Sequence, residues 1–443
     1  MKKHPLKLLI ILLIILLYSS PVYANDVVVV LDPGHGGDSL GGHNDMFQEM
    51  YLNMEVAKYA KERLEQYEGV VVYLTRDNAE SENTTLKERA EFAAAHNADF
   101  LFAIHFNMSE KHKLYGAEVW TSAFGEYYSK GQEFGHIEMD ALVNETGFYD
   151  RGVKTKVSNK DKNTDYYGSI REARELEIPC VIIEHCHMDE ERDYNYLLEH
   201  SDAYKTLGYL DADAIAKYYR LSSASLGVDY SNYDRETFPA PEGPVYTDKT
   251  APTYCSVTLD EVDTENNTAT ITVNSHDDES YLIYYQISTD EGENFGRLFP
   301  WNNDPNAKKS SKTDSITVTV PLKEGEESSI VVRAQNLVDQ YADSEVLKLP
   351  AGSITETEEE SSTDSEYNSL SDSSVMDETE YEEIEYEWDD SVKRKNIVDS
   401  DDLLLFVIAA IGLLLIICMT ALIFAGKIRK NKRKRSRNRR QQK

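Results

Sequence analysis

Cysteine is scarce, and what there is builds no framework. The four cysteines stand at 180, 186, 255 and 418, too few and too scattered for a disulfide-stapled domain or a Cys-rich zinc site. Only Cys180 and Cys186 are close enough in sequence to meet. Basic charge is short as well: 46 Lys and Arg against 79 Asp and Glu leave a formal net charge of -33. The deficit is deeper still ahead of the C-terminal tail, which is itself strongly basic. An acidic surface gains nothing from a phosphate backbone, which argues against nucleic acid as a partner. Long apolar runs are confined to residues 8–17 and 403–425. At 443 residues the chain exceeds one ordinary core, so several domains are expected.

The two apolar runs set the expected topology. Lys2, Lys3 and Lys7 precede the first, and Val22-Tyr23-Ala24 has the small-residue form of a signal-peptidase site, which predicts a signal peptide over residues 1–24. The second is uninterrupted by charge and long enough to cross a bilayer as one transmembrane helix over residues 403–425. Lys427, Arg429, Lys430, Lys432 and Arg433 follow it. Such charge stays cytoplasmic, so the expected localisation is the cell membrane, single-pass, with an extracellular N-terminal part and a basic cytoplasmic tail, residues 426–443, against anionic lipid.

Between these ends the composition changes twice. Residues 247–350 hold short alternating runs, among them 268–273, 281–287, 315–320 and 329–334, separated by Asp, Asn and Gly clusters. They predict an antiparallel β-sandwich that resembles bacterial immunoglobulin-like or fibronectin-III-like modules, read as a passive spacer with Trp301 in its packing. Residues 351–402 turn to Glu, Asp, Ser and Thr, the composition of a disordered acidic linker. Pro239, Pro241 and Pro244 mark a hinge over residues 223–246.

The chemistry lies in residues 25–222. Val27 to Leu31, Phe100 to Ile104 and Cys180 to Ile183 are short apolar runs of strand type. Helical patterns alternate with them, with Leu52, Val56, Ala60 and Leu64 in one and Leu86 to His96 in another. The alternation predicts an α/β domain with a mostly parallel sheet flanked by helices, whose functional groups gather at the carboxyl ends of strands. His35 follows the first run, His105 the second and Glu184 the third, while Glu49 opens a helix. Singly, each has a plain structural role to hand: a turn histidine, a hydrogen-bonded histidine, a carboxylate paired with Arg171, an acid at a helix N-terminus. Together, two histidines and one carboxylate suit a zinc ion with an open position, leaving a second carboxylate to act on water.

This arrangement resembles the zinc-dependent N-acetylmuramoyl-L-alanine amidases of the amidase_3 type. The resemblance rests on Val29 to Gly37, Glu49 with Leu52-Asn53 and Val56-Ala57, Leu74 to Asp77, Leu86 to Arg89, Ala98-Asp99, Ile104 to Asn107 and Ile182 to Glu184, in the family's order. It implies His35, Glu49 and His105 as zinc ligands, Glu184 as the catalytic carboxylate, and peptidoglycan as substrate, cut between N-acetylmuramic acid and L-alanine. The chain departs from the family at Glu184-His185-Cys186-His187-Met188, where many relatives carry Gly-Phe after the glutamate. His185 and His187, two apart on a strand exit, leave a second zinc arrangement open. A competing function is a catalytically silent, muropeptide-binding wall sensor or adhesion protein. A regulator of unspecified identity is a further expected partner.

Overall fold

β1 (Val27–Pro33), β3 (Phe100–Asn107) and β6 (Cys180–His187) are almost entirely buried apolar runs, and they occupy the middle of one sheet. The computed structural model describes residues 26–353 apart from Glu82. With β2 (Val70–Leu74), β4 (Ala117–Thr121) and β5 (Asp150–Thr155), these strands form a six-stranded sheet in the order β2-β1-β3-β6-β4-β5. β1, β2, β3 and β6 are parallel; β4 runs antiparallel to β6, and β5 parallel to β4. The mostly parallel sheet flanked by helices agrees with the sequence expectation.

Alternate residues of each strand face opposite sides, so a run apolar at every position needs cover on both. Val29, Leu31, Phe102, Ile104 and Ile183 pack with α1 (Glu49–Leu64), α3 (Gly125–Thr146) and α6 (Ala203–Tyr218). Val30, Leu101, Ala103 and Ile182 pack on the other face with α2 (Leu86–Ala95) and α4 (Gly168–Glu175). The short α5 (Glu191–Glu199) follows β6. α2 begins on a capping box, in which Thr85 Oγ1 accepts from the Glu88 amide and Glu88 accepts from the Thr85 amide. Cys180 and Cys186 are buried free thiols in different cores, one on each face of the sheet.

A minor hairpin, β7 (Ser222–Ser223) with β8 (Val228–Asp229), closes this part. From there the chain stays close to it: Arg235 pairs with Glu133 at 3.2 Å, Phe238 stacks on His136, and the Val245 amide donates to Ala123 O.

Two further sheets follow. β9 (Tyr254–Asp263), β10 (Thr268–His276) and β13 (Ser315–Pro321) form a three-stranded antiparallel sheet. β11 (Leu282–Ser288), β12 (Phe299–Pro300), β14 (Ser328–Asn336) and β15 (Tyr341–Asp343) form the other, with β16 (Leu347–Leu349) on β14. β13 alternates exposed and buried along its whole length, as a half-buried strand must. The inward residues Ile271, Val273, Ile316, Val318, Ile330 and Val332 enclose Trp301, whose indole N–H donates to Thr313 O at 2.6 Å.

This sandwich is docked on the first domain. Tyr115, Tyr149, Ile283, Tyr284 and Leu298 make a shared apolar cluster. Tyr149 donates to Ile283 O at 2.5 Å, Tyr284 donates to Tyr115 O, and Arg151 pairs with Asp339 at 2.9 Å. The outer edge of β5 is occupied too: the Asp150 amide donates to Lys308 O, while Thr155 exchanges hydrogen bonds with Val245 and Thr247. A passive spacer would share no such interior.

The expected single-pass membrane localisation is corrected. Among the described residues no helix is long and apolar enough to cross a membrane. The longest, α3 at 22 residues, carries Glu126, Lys130, Glu133, Glu138, Asp140 and Glu145, charges that a bilayer core disfavours. The expected signal peptide, the span over 403–425, the basic tail and the acidic linker beyond Ser353 lie outside the described residues.

Candidate metal centre and its carboxylate

The site grows from the loop after β1. His35 has φ of 62°, in the left-handed region that non-glycine residues adopt uncommonly. Two buried arginines hold the loop there. Arg89 pairs with Asp32 at 2.7 Å and donates to His35 O, and Arg76 donates to Pro33 O and Gly34 O. Gly34 must be glycine for space: a Cβ there would lie 2.2 Å from Cε1 of His105. Gly41, with φ of 72°, passes as close to Glu49, where a Cβ would lie 2.4 Å from Oε2.

Glu49, the first residue of α1, bridges the two histidines. Oε2 lies 3.1 Å from His35 Nε2, and Oε1 lies 2.9 Å from His105 Nδ1. The Gly42 amide and Asn53 Nδ2 also donate to this carboxylate. Burial alone would raise its pKa, but the charge and hydrogen bonds of His35 and His105 outweigh it and hold Glu49 well below the usual carboxylate range. Ser39 Oγ fixes the far side of the His35 ring, 3.1 Å from Nδ1. One ligand atom from each of His35, Glu49 and His105 lies within 4.8 Å of the others, the one such group of metal-capable side chains among the described residues. Two imidazoles and a carboxylate are a donor set that fits zinc.

Glu184 is on β6, directly beside His105 of β3 in the parallel register. The residue is partly open to solvent, yet its Oε2 is sealed and has no hydrogen-bond partner. Burial, and then the nearby charges of Glu49 and Glu118, push its pKa well above the ordinary carboxylate value. Arg171, the cation considered for it, instead contacts Glu172 at 3.3 Å. A carboxyl so placed suits proton transfer. The remaining histidines of this strand stand outside the donor set: His185 Nε2 lies 2.9 Å from Asp211 Oδ1 and its Nδ1 3.3 Å from His105 O, and His187 Nδ1 donates to Gly116 O.

Sequence reasoning passed over Glu118. It lies on β4 opposite Glu184 and collects Asn107 Nδ2, Trp120 Nε1, Arg151 Nε and Lys154 Nζ at 3.2, 3.0, 2.9 and 2.7 Å. Burial would raise its pKa, but Lys154 and Arg151 outweigh burial and keep it ionised. Its one sequence signal is an acid inside the short apolar run Ala117–Thr121.

Residues 29–217, a little under half of the chain, match the Amidase_3 family model, N-acetylmuramoyl-L-alanine amidase. A putative N-acetylmuramoyl-L-alanine amidase of Buchnera aphidicola subsp. Schizaphis graminum is 30% identical over 92 residues, 20% of this chain and 39% of that protein. The N-acetylmuramoyl-L-alanine amidase CwlM of Bacillus licheniformis is 24% identical over 202 residues, 44% of this chain and 70% of that protein. Among solved structures, the catalytic domain of CwlV, an N-acetylmuramoyl-L-alanine amidase from Bacillus (Paenibacillus) polymyxa var. colistinus, is 25% identical, covering 44% of this chain and 98% of that one, with a TM-score of 0.37. The chain thus spans about two fifths of the length of the Buchnera relative. The family match lies over the α/β domain that carries His35, Glu49, His105 and Glu184.

Proposed function

We propose that this chain is a zinc-dependent N-acetylmuramoyl-L-alanine amidase that cuts the amide between the lactyl group of N-acetylmuramic acid and the L-alanine of the stem peptide. The observation that carries the reading is one juxtaposition: His35, Glu49 and His105 form a compact donor set, and the partnerless carboxyl of Glu184 stands in the adjoining strand. His35, Glu49 and His105 would hold the ion, which when bound supplies Lewis acidity toward the amide carbonyl and a more acidic water. Glu184 takes a proton from the attacking water and returns it to the leaving nitrogen. Water is thereby divided between a lactyl carboxylate and a free L-alanine amine. Ser39, Asn53 and the Gly42 amide keep the donors aimed.

In this reading residues 25–222 are the catalytic domain, 223–246 the connection and 247–350 an immunoglobulin-like sandwich, with residues 1–24 as an export signal. The test is mass spectrometry of peptidoglycan digested by zinc-loaded protein and by Glu184→Gln. Stem peptides with a free L-alanine amino terminus, produced by the wild type and not by the variant, are expected. Wild-type protein that binds the polymer but releases nothing would replace the reading by the silent sensor.

A further inference from the structure

A line of charged and polar side chains crosses the sheet from the candidate metal centre to the sandwich. His105 on β3 is beside Glu184 on β6, and Glu184 is opposite Glu118 on β4. Neighbours paired directly across strands project from the same face, so these three share one side of the sheet. Glu118 Oε2 receives Arg151 Nε and Lys154 Nζ from β5. The Arg151 guanidinium, 2% exposed, then leaves the catalytic domain altogether: Nη1 meets the Tyr284 hydroxyl at 3.3 Å, and Nη2 meets Asp339 Oδ2 at 2.9 Å.

Asp339 is itself held in place. It sits at the tip between β14 and β15 with φ of 66°, a left-handed conformation that Asp and Asn tolerate better than other non-glycine residues. Its amide donates to Asn336 O, and Gln335 Nε2 donates to its Oδ1 at 2.8 Å. Glu118 faces two cations from β5, so without Asp339 the buried cluster carries an uncompensated positive charge. A buried charge that loses its partner is costly, and its neighbours rearrange. Among those neighbours, Glu118 Oε1 also fixes Asn107, two residues beyond His105, and the indole of Trp120.

We infer that the sandwich completes the catalytic site: Asp339 is a positioning residue that acts through Arg151 to hold Glu118, which stands across the strand pair from Glu184, and through Glu118 to hold Asn107, two residues beyond His105. The inference rests on the amidase reading for its kinetic part only. Asp339 touches neither the donor set nor Glu184 in the contacts described, and its effect is entirely through the relay.

The test compares full-length, zinc-loaded wild type with Asp339→Asn, which keeps the side-chain shape and the left-handed backbone. Hydrolysis of a soluble muropeptide gives kcat and KM, and the indole N–H resonance of Trp120, assigned by its loss in Trp120→Phe, reports on Glu118 independently of turnover. Asp339→Asn is expected to lower kcat about tenfold, to leave KM within twofold, and to move the Trp120 resonance. Lys309→Ala breaks exposed cross-domain pairs with Asp140 and Asp150, neither of which bonds to a member of the relay, and should leave both readouts unchanged. If Asp339→Asn does not fold, Gln335→Ala, which removes a donor to Asp339 and keeps its charge, should shift both readouts in the same direction by less. A folded Asp339→Asn with wild-type kcat and an unmoved Trp120 resonance overturns the inference. An inactive wild type would instead defeat the amidase reading, and the Trp120 resonance would still decide whether the relay transmits.

Discussion

Replacing Gly34 by alanine should disable the candidate metal centre while sparing most of the fold. The added methyl would lie 2.2, 2.4 and 2.7 Å from three ring atoms of His105, where ordinary contact begins near 3.4 Å. The ring must therefore retreat by about 1 Å, because the glycine backbone is pinned by the Arg76 bond to its carbonyl and by its own amide bond to Ile104 O. A shift of that size carries Nδ1 away from Glu49, 2.9 Å distant in the native arrangement, and removes one of three donors from its place. Disturbing the groups that merely orient ligands costs about 10–100-fold in metal affinity, so moving a ligand itself should cost about 100-fold. Strain adds about 1–3 kcal/mol of destabilisation. Competition with a fluorescent zinc chelator gives the affinity, and a circular-dichroism melt gives the stability. Zinc affinity within threefold of the wild type, in a variant of unchanged Tm, would show that His105 is not a ligand or that the loop yields freely.

Three further outcomes are expected. Arg89→Ala strands Asp32, 1% exposed, without its cation, and should cost about 3–5 kcal/mol in urea unfolding; a loss below about 1 kcal/mol would mean that Thr75 suffices as partner. Burial, then the charge of Arg151, lowers the His187 pKa from 6.5 to about 4. The neutral ring is the one that fits, so its contribution is intact above pH 6.5 and is lost as pH falls toward 4; the stability of wild type minus that of His187→Gln should drop by about 3 kcal/mol over that window, and a flat difference refutes the assignment. Trp301, wholly buried, should cost about 3–5 kcal/mol on replacement by alanine. Because the sandwich shares an interior with the α/β domain, the proposed amidase turnover should fall with it; retained turnover in a chain with a melted sandwich would speak against coupling.

The legible part of the chain was that in which pattern and burial coincide. β1, β3 and β6 are apolar at nearly every position because both their faces are covered, and such runs stand out in any sequence. His35, His105 and Glu184 stand out as candidates because each interrupts or follows one of those runs, and Glu49 because it opens a periodic helix. β4 and β5 were not found. Their five and six residues carry Glu118, Arg151 and Lys154, which read as surface but are buried because they neutralise one another. Hydrophobic periodicity has no means of registering an acid matched by two bases from a neighbouring strand. The docking of the sandwich was invisible for a related reason: Tyr149, Tyr284 and Asp339 meet their partners across more than a hundred residues of sequence, and nothing local marks them.

The bonds that Lys308, Val245 and Thr247 make along β5 have a consequence for the margin of the sheet. An uncovered sheet edge offers its unpaired amides and carbonyls to any other strand, including that of a second molecule. Here the two ends of the β5 edge, the Asp150 amide and the Thr155 carbonyl, are taken by chain that comes later in the sequence. A chain shortened to end at the α/β domain would thus leave those groups at the sheet margin open to a strand of another molecule. The later chain therefore does more than share an interior with the domain before it: it also occupies the ends of that domain's edge strand.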